Sequence, residues 1–311
     1  MEVVRLLVWK ILNMFIVMGI GAYLYKKEVI SDRTTEELGK LLIQVVLPSV
    51  VLSQMWTEYS AEKQQTLIRC FFLGALAQIL AVGAAWIRFR KNEDAAARGC
   101  SAFSNVGFFG IPVITAVMGG AAVFYVSPTV GTANLLMSTL LVVWFSRSTD
   151  AIRFKSVLLN PALISLVTGI VLFFLKVPRP AIVSDVLSTL NQLNTPVALL
   201  LSGAFLARSD LLKALGKPEV WRVTLWRLVL IPAGILLLFR LIPVGSVEEK
   251  TAIWISLSCP IGMNLPVYAR LYDPDSVAVC AEEVCITTLL SIATLPLGLL
   301  AANMILRSTY S

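Results

Sequence analysis

The sequence predicts an all-α integral membrane protein of ten transmembrane helices, arranged as two inverted five-helix repeats with broken crossover helices 4 and 9. Three observations support this prediction. First, 57% of the 311 residues are hydrophobic and only 14% are charged, which is too little polar surface to cover a soluble globule of this size. Second, apolar runs long enough to span a bilayer recur along the chain. Third, two of these runs contain similar proline breaks.

Hydropathy places ten apolar segments along the chain, most of them about as long as a bilayer-crossing helix. The predicted spans are Leu6–Tyr25, Leu38–Met55, Ile68–Ile87, Gly99–Met118, Val123–Phe145, Ala162–Leu175, Val186–Ala207, Val223–Ile242, Ala252–Tyr268 and Val277–Met304. The sixth is short. No connecting loop is long enough to form another domain. We therefore expect a single membrane domain, with one repeat over residues 1–155 and the second over residues 156–311.

Spans 4 and 9 are the broken ones. Residues 104–112 read SNVGFFGIP and residues 258–266 read SCPIGMNLP, at an offset of 154 residues, which is 266 minus 112. Proline removes a backbone donor, and an unpaired backbone group in hydrocarbon is costly, so such breaks occur where they line a buried or watery cavity. A matched pair is typical of a transporter's binding site.

The repeat extends beyond the breaks. At the same offset of 154, residues 130–136 in span 5 align with residues 284–290 in span 10. Each unit then holds five spans, and an odd number reverses the second copy relative to the membrane. Of the 26 Lys and Arg residues, 17 lie on the inner side if the N-terminus is outside. The positive-inside rule therefore predicts that both termini face away from the cytoplasm.

Composition also excludes several classes of function. The net charge of +7 comes from basic residues in short loops, so we expect no nucleic-acid partner. The chain has no histidine, and its five cysteines are scattered without a metal-ligand spacing, so we expect no metal and no cofactor. With neither histidine nor a pair of buried carboxylates at helical spacing, no acid–base or nucleophilic site can be assembled, and we do not expect an enzyme.

The two breaks supply the predicted substrate-binding residues. Glycine lets backbone approach a ligand, proline keeps the helix from re-forming, and asparagine can donate and accept. Half-helix amino ends can hold a carboxylate without a buried cation. The predicted binding residues are Asn105, Gly107, Gly110, Pro112, Pro260, Gly262, Asn264 and Pro266.

Other polar residues are candidates for the walls of the same cavity. They are Asn134, Thr288, Ser49, Ser53 and Asn194. Asn134 and Thr288 would equally suit bonds between helices, and Asn105 could repair the opposite break instead of contacting cargo. Glu283 is the candidate for proton coupling. Arg227 is expected to reach the lipid headgroups near the inner end of span 8.

The same residues resemble those of the auxin efflux carrier family. The resemblance rests on Asn105 followed by Gly110-Ile111-Pro112, on Cys259-Pro260 through Pro266, and on residues 287–296, TTLLSIATLP. It covers the whole chain and implies a ten-helix carrier whose fourth and ninth spans unwind and cross at mid-membrane. Where plant members carry a second Asn after the Asn-Pro that opens span 6, this chain has Asn160-Pro161-Ala162.

The resemblance implies a cargo that is a small organic anion, such as auxin in plants or malonate and malate in bacteria. The short loop between spans 5 and 6 looks like the compact bacterial form, and so indicates a multi-pass protein of the bacterial inner membrane. The expected partners are the anion, the lipid bilayer and, as a candidate, a second copy of the chain. The alternatives are a cation/proton antiporter of related fold, and a channel or membrane sensor.

Overall fold

The computed structural model describes residues 2–91, 94–208 and 214–307. The described residues are helical apart from loops and one isolated β-bridge. Helices α1 to α7 are Glu2–Lys26, Asp32–Met55, Ala61–Arg88, Ala95–Ala102, Val106–Met118, Gly120–Ser146 and Pro161–Phe174. Helices α8 to α13 are Ala181–Gln192, Asn194–Arg208, Pro218–Leu241, Val247–Ser258, Leu265–Tyr272 and Pro274–Leu306.

Five helices in the described part of the chain are long and apolar enough to cross a membrane, and two shorter apolar helices accompany them. The five are α2, α3, α6, α10 and α13, which contain predicted spans 2, 3, 5, 8 and 10. Predicted span 4 is divided into α4 and α5, and predicted span 9 into α11 and α12. The protein is therefore an all-helical, multi-pass membrane protein, and both predicted breaks are present.

The prediction of span 7 as one continuous helix is wrong. The helix is interrupted at Leu193, between α8 and α9. Pro196 lies in the first turn of α9. It has no N–H to donate to the carbonyl of Gln192, and its ring would clash with that carbonyl in a continuous helix. The chain therefore begins a new helix two residues before the proline.

A wide π-helical turn of five residues comes before three of the prolines at one spacing. The turns Leu42–Val46, Val106–Gly110 and Trp226–Leu230 each begin six residues ahead of a proline, namely Pro48, Pro112 and Pro232. Proline removes one donor from the helix ladder, and a π turn redistributes the remaining bonds. Two of these turns lie in long spanning helices and one directly follows a break.

Helix packing encloses the breaks between two apolar clusters. One cluster contains Val106, Phe109 and Ile111, which follow the first break. The other contains Phe103 of the first break and Ile261 of the second. Around them, α1 packs mainly on α9, and α7 packs mainly on the second half of α2. The backbone of α1 approaches that of α9 so closely that a Cβ at Gly203 would overlap the carbonyl oxygen of Met18.

Candidate functional site

The first break runs from Phe103 to Asn105. Helix α4 ends at Ala102, and Phe103 is extended, with φ −109° and ψ 116°. Asn105 caps the next helix: its side chain accepts a hydrogen bond from the Phe108 N–H at 3.2 Å, and its carbonyl accepts from Gly110 at 2.8 Å. An asparagine cap satisfies a donor that the helix start leaves free, which explains why α5 begins here.

The second break runs from Cys259 to Asn264. Helix α11 ends at Ser258, and Cys259 is extended, with φ −61° and ψ 159°. Helix α12 begins at Leu265, with Pro266 in its first turn. Proline there is tolerated because the first helical N–H groups have no partner within the helix. Asn264 precedes this helix but makes no side-chain cap, unlike Asn105.

The two breaks pair with each other. The Asn105 N–H donates to the Pro260 carbonyl at 2.8 Å, and the Gly262 N–H donates to the Phe103 carbonyl at 3.1 Å. Ser104 and Ile261 thereby form an antiparallel β-bridge. Backbone groups that the breaks would leave unpaired in an apolar interior are satisfied across the pair, which removes the main energetic objection to unwinding both helices.

A polar side chain from α13 supports this pairing. The Ile261 N–H donates to the hydroxyl of Thr287 at 3.3 Å, and that hydroxyl in turn donates to the Glu283 carbonyl at 2.7 Å. Glu283 itself is 1% exposed, and its Oε2 has no hydrogen-bond partner among the described residues. Its carboxyl group lies one helical turn from Thr287 and outside the cavity described next.

A cavity of about 40 Å³ lies beside the paired breaks. Its walls come from α2, from both breaks, from α5 and α6, and from the start of α7. The lining residues are Ile43, Leu47, Ser104, Asn105, Val106, Gly107, Phe108, Ala133, Asn134, Met137, Asn160, Ala162, Gly262 and Asn264. Four of them are asparagines, and none is ionisable. The cavity is much smaller than the 300–1,000 Å³ typical of ligand pockets, so a small-molecule ligand could enter only if these helices separated.

The carboxamides of Asn105 and Asn160 have a defined orientation. The Oδ1 of Asn160 accepts from the Ala162 and Leu163 N–H groups at 3.0 and 3.4 Å, just as Oδ1 of Asn105 accepts from Phe108. In a carboxamide only the oxygen can accept from an N–H group, so in both side chains the NH₂ group is the part that does not contact the helix start. Those nitrogens make no hydrogen bond within the described residues. Two N–H₂ donors in an uncharged cavity suit an oxyanion.

The other predicted site residues lie around the cavity without lining it. Gly110, Pro112 and Pro260 are buried behind it. Thr288 and Ser49 donate to carbonyls of their own helices at 2.7 Å each. Ser53 accepts from Asn191 at 2.8 Å. Asn194 is 2% exposed, and its side chain has no partner in the described part of the chain. Asn134, which does line the cavity, also donates to the Val130 carbonyl at 2.8 Å.

Pro266 belongs to a second, larger cleft of about 280 Å³. This cleft reaches Met263 of the second break and opens between two ion pairs. Arg208 lies 3.1 Å from Asp32, and Arg270 lies 3.7 Å from Glu36. Because each arginine is paired with a carboxylate, the charges along this cleft largely balance, and the cleft by itself gives no preference for an anion.

The prediction that Arg227 reaches the headgroups is wrong. Arg227 is 0% exposed and donates to the Ser101 carbonyl in the last turn of α4 at 3.0 Å. Its Nε and Nη2 atoms have no partner among the residues that the structure describes. The π-helical turn Trp226–Leu230 belongs to a helix whose buried face packs on α4, and Arg227 lies on that face. A buried cation therefore does lie behind the first break.

Asn160 lines the cavity but is not among the residues that the sequence analysis selects as site candidates. The sequence carried a signal for it, since Asn followed by Pro is a typical helix start, with asparagine as the cap and proline at the first helical position. What the sequence lacked was the tertiary packing that brings the start of α7 beside the first break. No group of three or more Cys, Asp or Glu side chains within the described ranges could hold a metal ion.

The family model described as membrane transport protein matches residues 6–299. The chain belongs to the auxin efflux carrier family. Auxin efflux carriers are membrane transporters rather than enzymes. A comparison with curated proteins finds no match. The paired breaks and their asparagines thus lie in a membrane transporter, which gives their geometry a functional setting.

Proposed function

We propose that this auxin efflux carrier is a secondary transporter of small organic anions, namely mono- or dicarboxylates such as malonate, malate or auxin-like acids. The observation that carries the proposal is the pair of N–H₂ donors from Asn105 and Asn160 in a cavity without ionisable side chains. A carboxylate accepts such donors well, whereas a cation would find a site without charged ligands.

Alternating access follows if two inverted five-helix repeats rock around the paired breaks. Helix packing supports this arrangement. If the two repeats are equivalent, span 1 corresponds to span 6 and span 2 corresponds to span 7. A contact between spans 1 and 7 then requires a matching contact between spans 6 and 2. Both are present, since α1 packs on α9 and α7 packs on α2. We also propose that the carrier lies in the bacterial inner membrane, as its short loop between spans 5 and 6 suggests, and that both termini face away from the cytoplasm, because 17 of its 26 Lys and Arg residues then lie inside. A homodimer remains the candidate assembly.

A buried charge behind the first break also supports an anionic cargo. Helix α4 points its carboxyl end, with its partial negative charge, at the break. Arg227 donates to Ser101 and Gln78 donates to Ala102 at 3.2 Å, so the last carbonyls of α4 are bonded to side chains. This compensation makes the neighbourhood more favourable for a carboxylate. Glu283, beside the second break, is the carboxyl group that could couple proton movement to transport.

Exchange in proteoliposomes tests this function. Vesicles loaded with an unlabelled mono- or dicarboxylate should take up the labelled compound faster than empty vesicles. The reason is that the binding site of a carrier reorients to the outside more quickly with substrate bound than when it is empty. A channel or sensor would show no such stimulation. Proton-driven sodium or potassium flux without carboxylate exchange would support the antiporter instead. If Glu283 couples protons, Glu283→Gln should retain exchange and lose its acceleration by a pH gradient.

A further inference from the structure

A third cavity, of about 780 Å³, lies at the other end of α2 from the ion pairs of the 280 Å³ cleft. It is formed where the carboxyl ends of α2 and α7 meet the amino ends of α3 and α8. Its lining residues, which we call the vestibule, are Trp56, Thr57, Glu58, Tyr59, Lys63, Lys176, Val177, Pro178, Arg179 and Ser184. Three of these residues are cations and one is a carboxylate.

The three cations are not neutralised by carboxylates. Lys63 donates to the Thr57 hydroxyl at 2.8 Å and to the Glu58 carbonyl at 3.2 Å. Arg179 donates to the Ser53 carbonyl at 2.9 Å, and Lys176 lies over the Tyr59 ring at 4.6 Å. Within the described residues, none of the three forms an ion pair. A guanidinium has five N–H donors, and an ammonium has three, so Arg179 and Lys176 both retain donors for a ligand.

Helix dipoles do not remove this excess of positive charge. The carboxyl ends of α2 and α7 each carry a partial negative charge, but the amino ends of α3 and α8 meet them in the same cavity with the opposite sign. The helix contributions therefore roughly cancel. What remains is the side-chain charge of three cations against Glu58, inside a concave site where low-dielectric walls concentrate the field.

The backbone at Lys176 has a left-handed conformation. Lys176 follows the end of α7 with φ 55°, the left-handed conformation that glycine normally supplies after a helix. A side chain with a Cβ is disfavoured there. Glu28 and Arg147 adopt the same conformation after α1 and α6, so this backbone is a recurrent helix end in the protein, and here it leaves Lys176 among the residues that line the vestibule.

We propose that the vestibule is an oxyanion-binding antechamber, which binds the carboxylate of the cargo before it reaches the paired breaks. The proposal rests on the proposed function for the identity of the anion. The same chemistry would also bind the phosphate of a lipid headgroup, since both are oxyanions and both accept from ammonium and guanidinium groups. The two sources are separated by experiment.

The direct test uses the fluorescence of Trp56, which lines the vestibule. Purified protein is titrated with iodide, caesium and neutral acrylamide, and the Trp56 contribution is taken as the difference between wild type and Trp56→Phe. We expect iodide to quench Trp56 more strongly than caesium at equal acrylamide accessibility. The triple variant Lys63→Gln, Lys176→Gly, Arg179→Gln should abolish that preference, whereas Lys40→Gln, an exposed lysine elsewhere on α2, should preserve it. A preference that survives the triple variant would overturn the proposal.

Lys176→Gly is the most informative single variant, because it removes a charge and relieves the left-handed strain at once. Glycine suits the left-handed backbone, which offsets the loss of the cation–π contact with Tyr59, and the salt dependence of the KM identifies an electrostatic effect. We expect the KM for carboxylate offered at the vestibule face to rise about threefold to tenfold at low salt, with an unchanged maximal rate. The difference should shrink as added salt screens the field. An unchanged KM at all salt concentrations would contradict a role for cargo.

Lipid binding forms the second arm of the test. Native mass spectrometry of the purified carrier with added phosphatidylglycerol should show whether a bound lipid is lost in the triple variant. Loss of lipid with an unchanged KM assigns the oxyanion to the headgroup and overturns the cargo role. A raised KM with unchanged lipid binding assigns it to the cargo. Absence of carboxylate exchange by wild type would contradict the proposed function, while the quenching result would still decide whether the vestibule attracts anions.

Discussion

The backbone N–H of Asn105 donates to the carbonyl of Pro260 at 2.8 Å, and this bond joins the two helix breaks of the carrier. Each break alone would expose backbone groups to an apolar interior. Together they satisfy one another, so that two helices can be unwound at the same depth. The pairing also fixes Asn105 as a helix cap, with its amide nitrogen left for a ligand.

Gly262 should be more sensitive to substitution than Gly110, although both lie in the breaks. A Cβ at Gly262 would lie 3.3 Å from the Ser104 carbonyl oxygen and 3.2 Å from a Leu265 methyl, while at Gly110 the nearest atom would be 3.4 Å away. We expect Gly262→Ala to cost about 1–3 kcal/mol of stability through this crowding, and to slow exchange. Gly110→Ala serves as the matched control in thermal unfolding. Equal melting temperatures for the two variants would contradict the tight pairing.

Asn160→Ser should separate the two roles of Asn160. Serine retains an oxygen that can cap α7, so stability should change by less than about 0.5 kcal/mol, while the N–H₂ donor is lost. We expect a higher KM for carboxylate exchange at an unchanged melting temperature. Asn160→Ala, which removes cap and donor together, should raise the KM and also lower the melting temperature. If Asn160→Ser left the KM unchanged, the asparagine would be only a cap.

Arg227→Met should damage transport more than stability. The guanidinium is 0% exposed and leaves Nε and Nη2 without partners in the described residues, so its burial is costly and a methionine of similar volume should be tolerated. Exchange should fall at least tenfold, since Gln78 would still donate to Ala102 but no positive charge would offset the carboxyl end of α4 beside the anion. Melting temperature and exchange rate are measured on the same preparation. Full activity in Arg227→Met would show that this compensation is unnecessary.

The contact between α1 and α9 should tolerate alanine at one glycine and not at its neighbour. A Cβ at Gly21 would overlap the Leu200 carbonyl oxygen, whereas one at Gly19 would have nothing within 4 Å. Gly21→Ala should therefore destabilise the protein by about 1–3 kcal/mol, and Gly19→Ala should be neutral or slightly stabilising. Thermal unfolding of both variants decides this. Equal stability would mean that the helices lie further apart.

Single added cysteines can test the predicted sidedness. Cys70, Cys100, Cys259, Cys280 and Cys285 are all buried, so native labelling should be low. Glu58 and Lys27 are exposed near opposite ends of α2. An impermeant maleimide should label Glu58→Cys in intact cells, and Lys27→Cys only after permeabilisation. The reverse pattern would place the termini on the cytoplasmic side.

Sequence reasoning found the breaks because proline and glycine act locally, and their effect on a helix does not depend on distant residues. It also selected Asn105, Asn134 and Asn264, all of which line the cavity. Arg227 and Asn160 needed tertiary information. The inward orientation of Arg227 depends on the phase of a helix that contains a π turn, and the place of Asn160 depends on long-range packing of α7.

The most direct test of the central claim is the apparent affinity of carboxylate exchange in Asn105→Asp. Aspartate keeps the oxygen that accepts from Phe108, so the helix cap is preserved, but a carboxylate replaces the amide donor. Asn303→Asp, at a distant asparagine of α13, controls for an added charge. The account predicts that Asn105→Asp raises the KM at least tenfold while Asn303→Asp does not. Equal affinities for wild type and Asn105→Asp would contradict an anion site at the paired breaks.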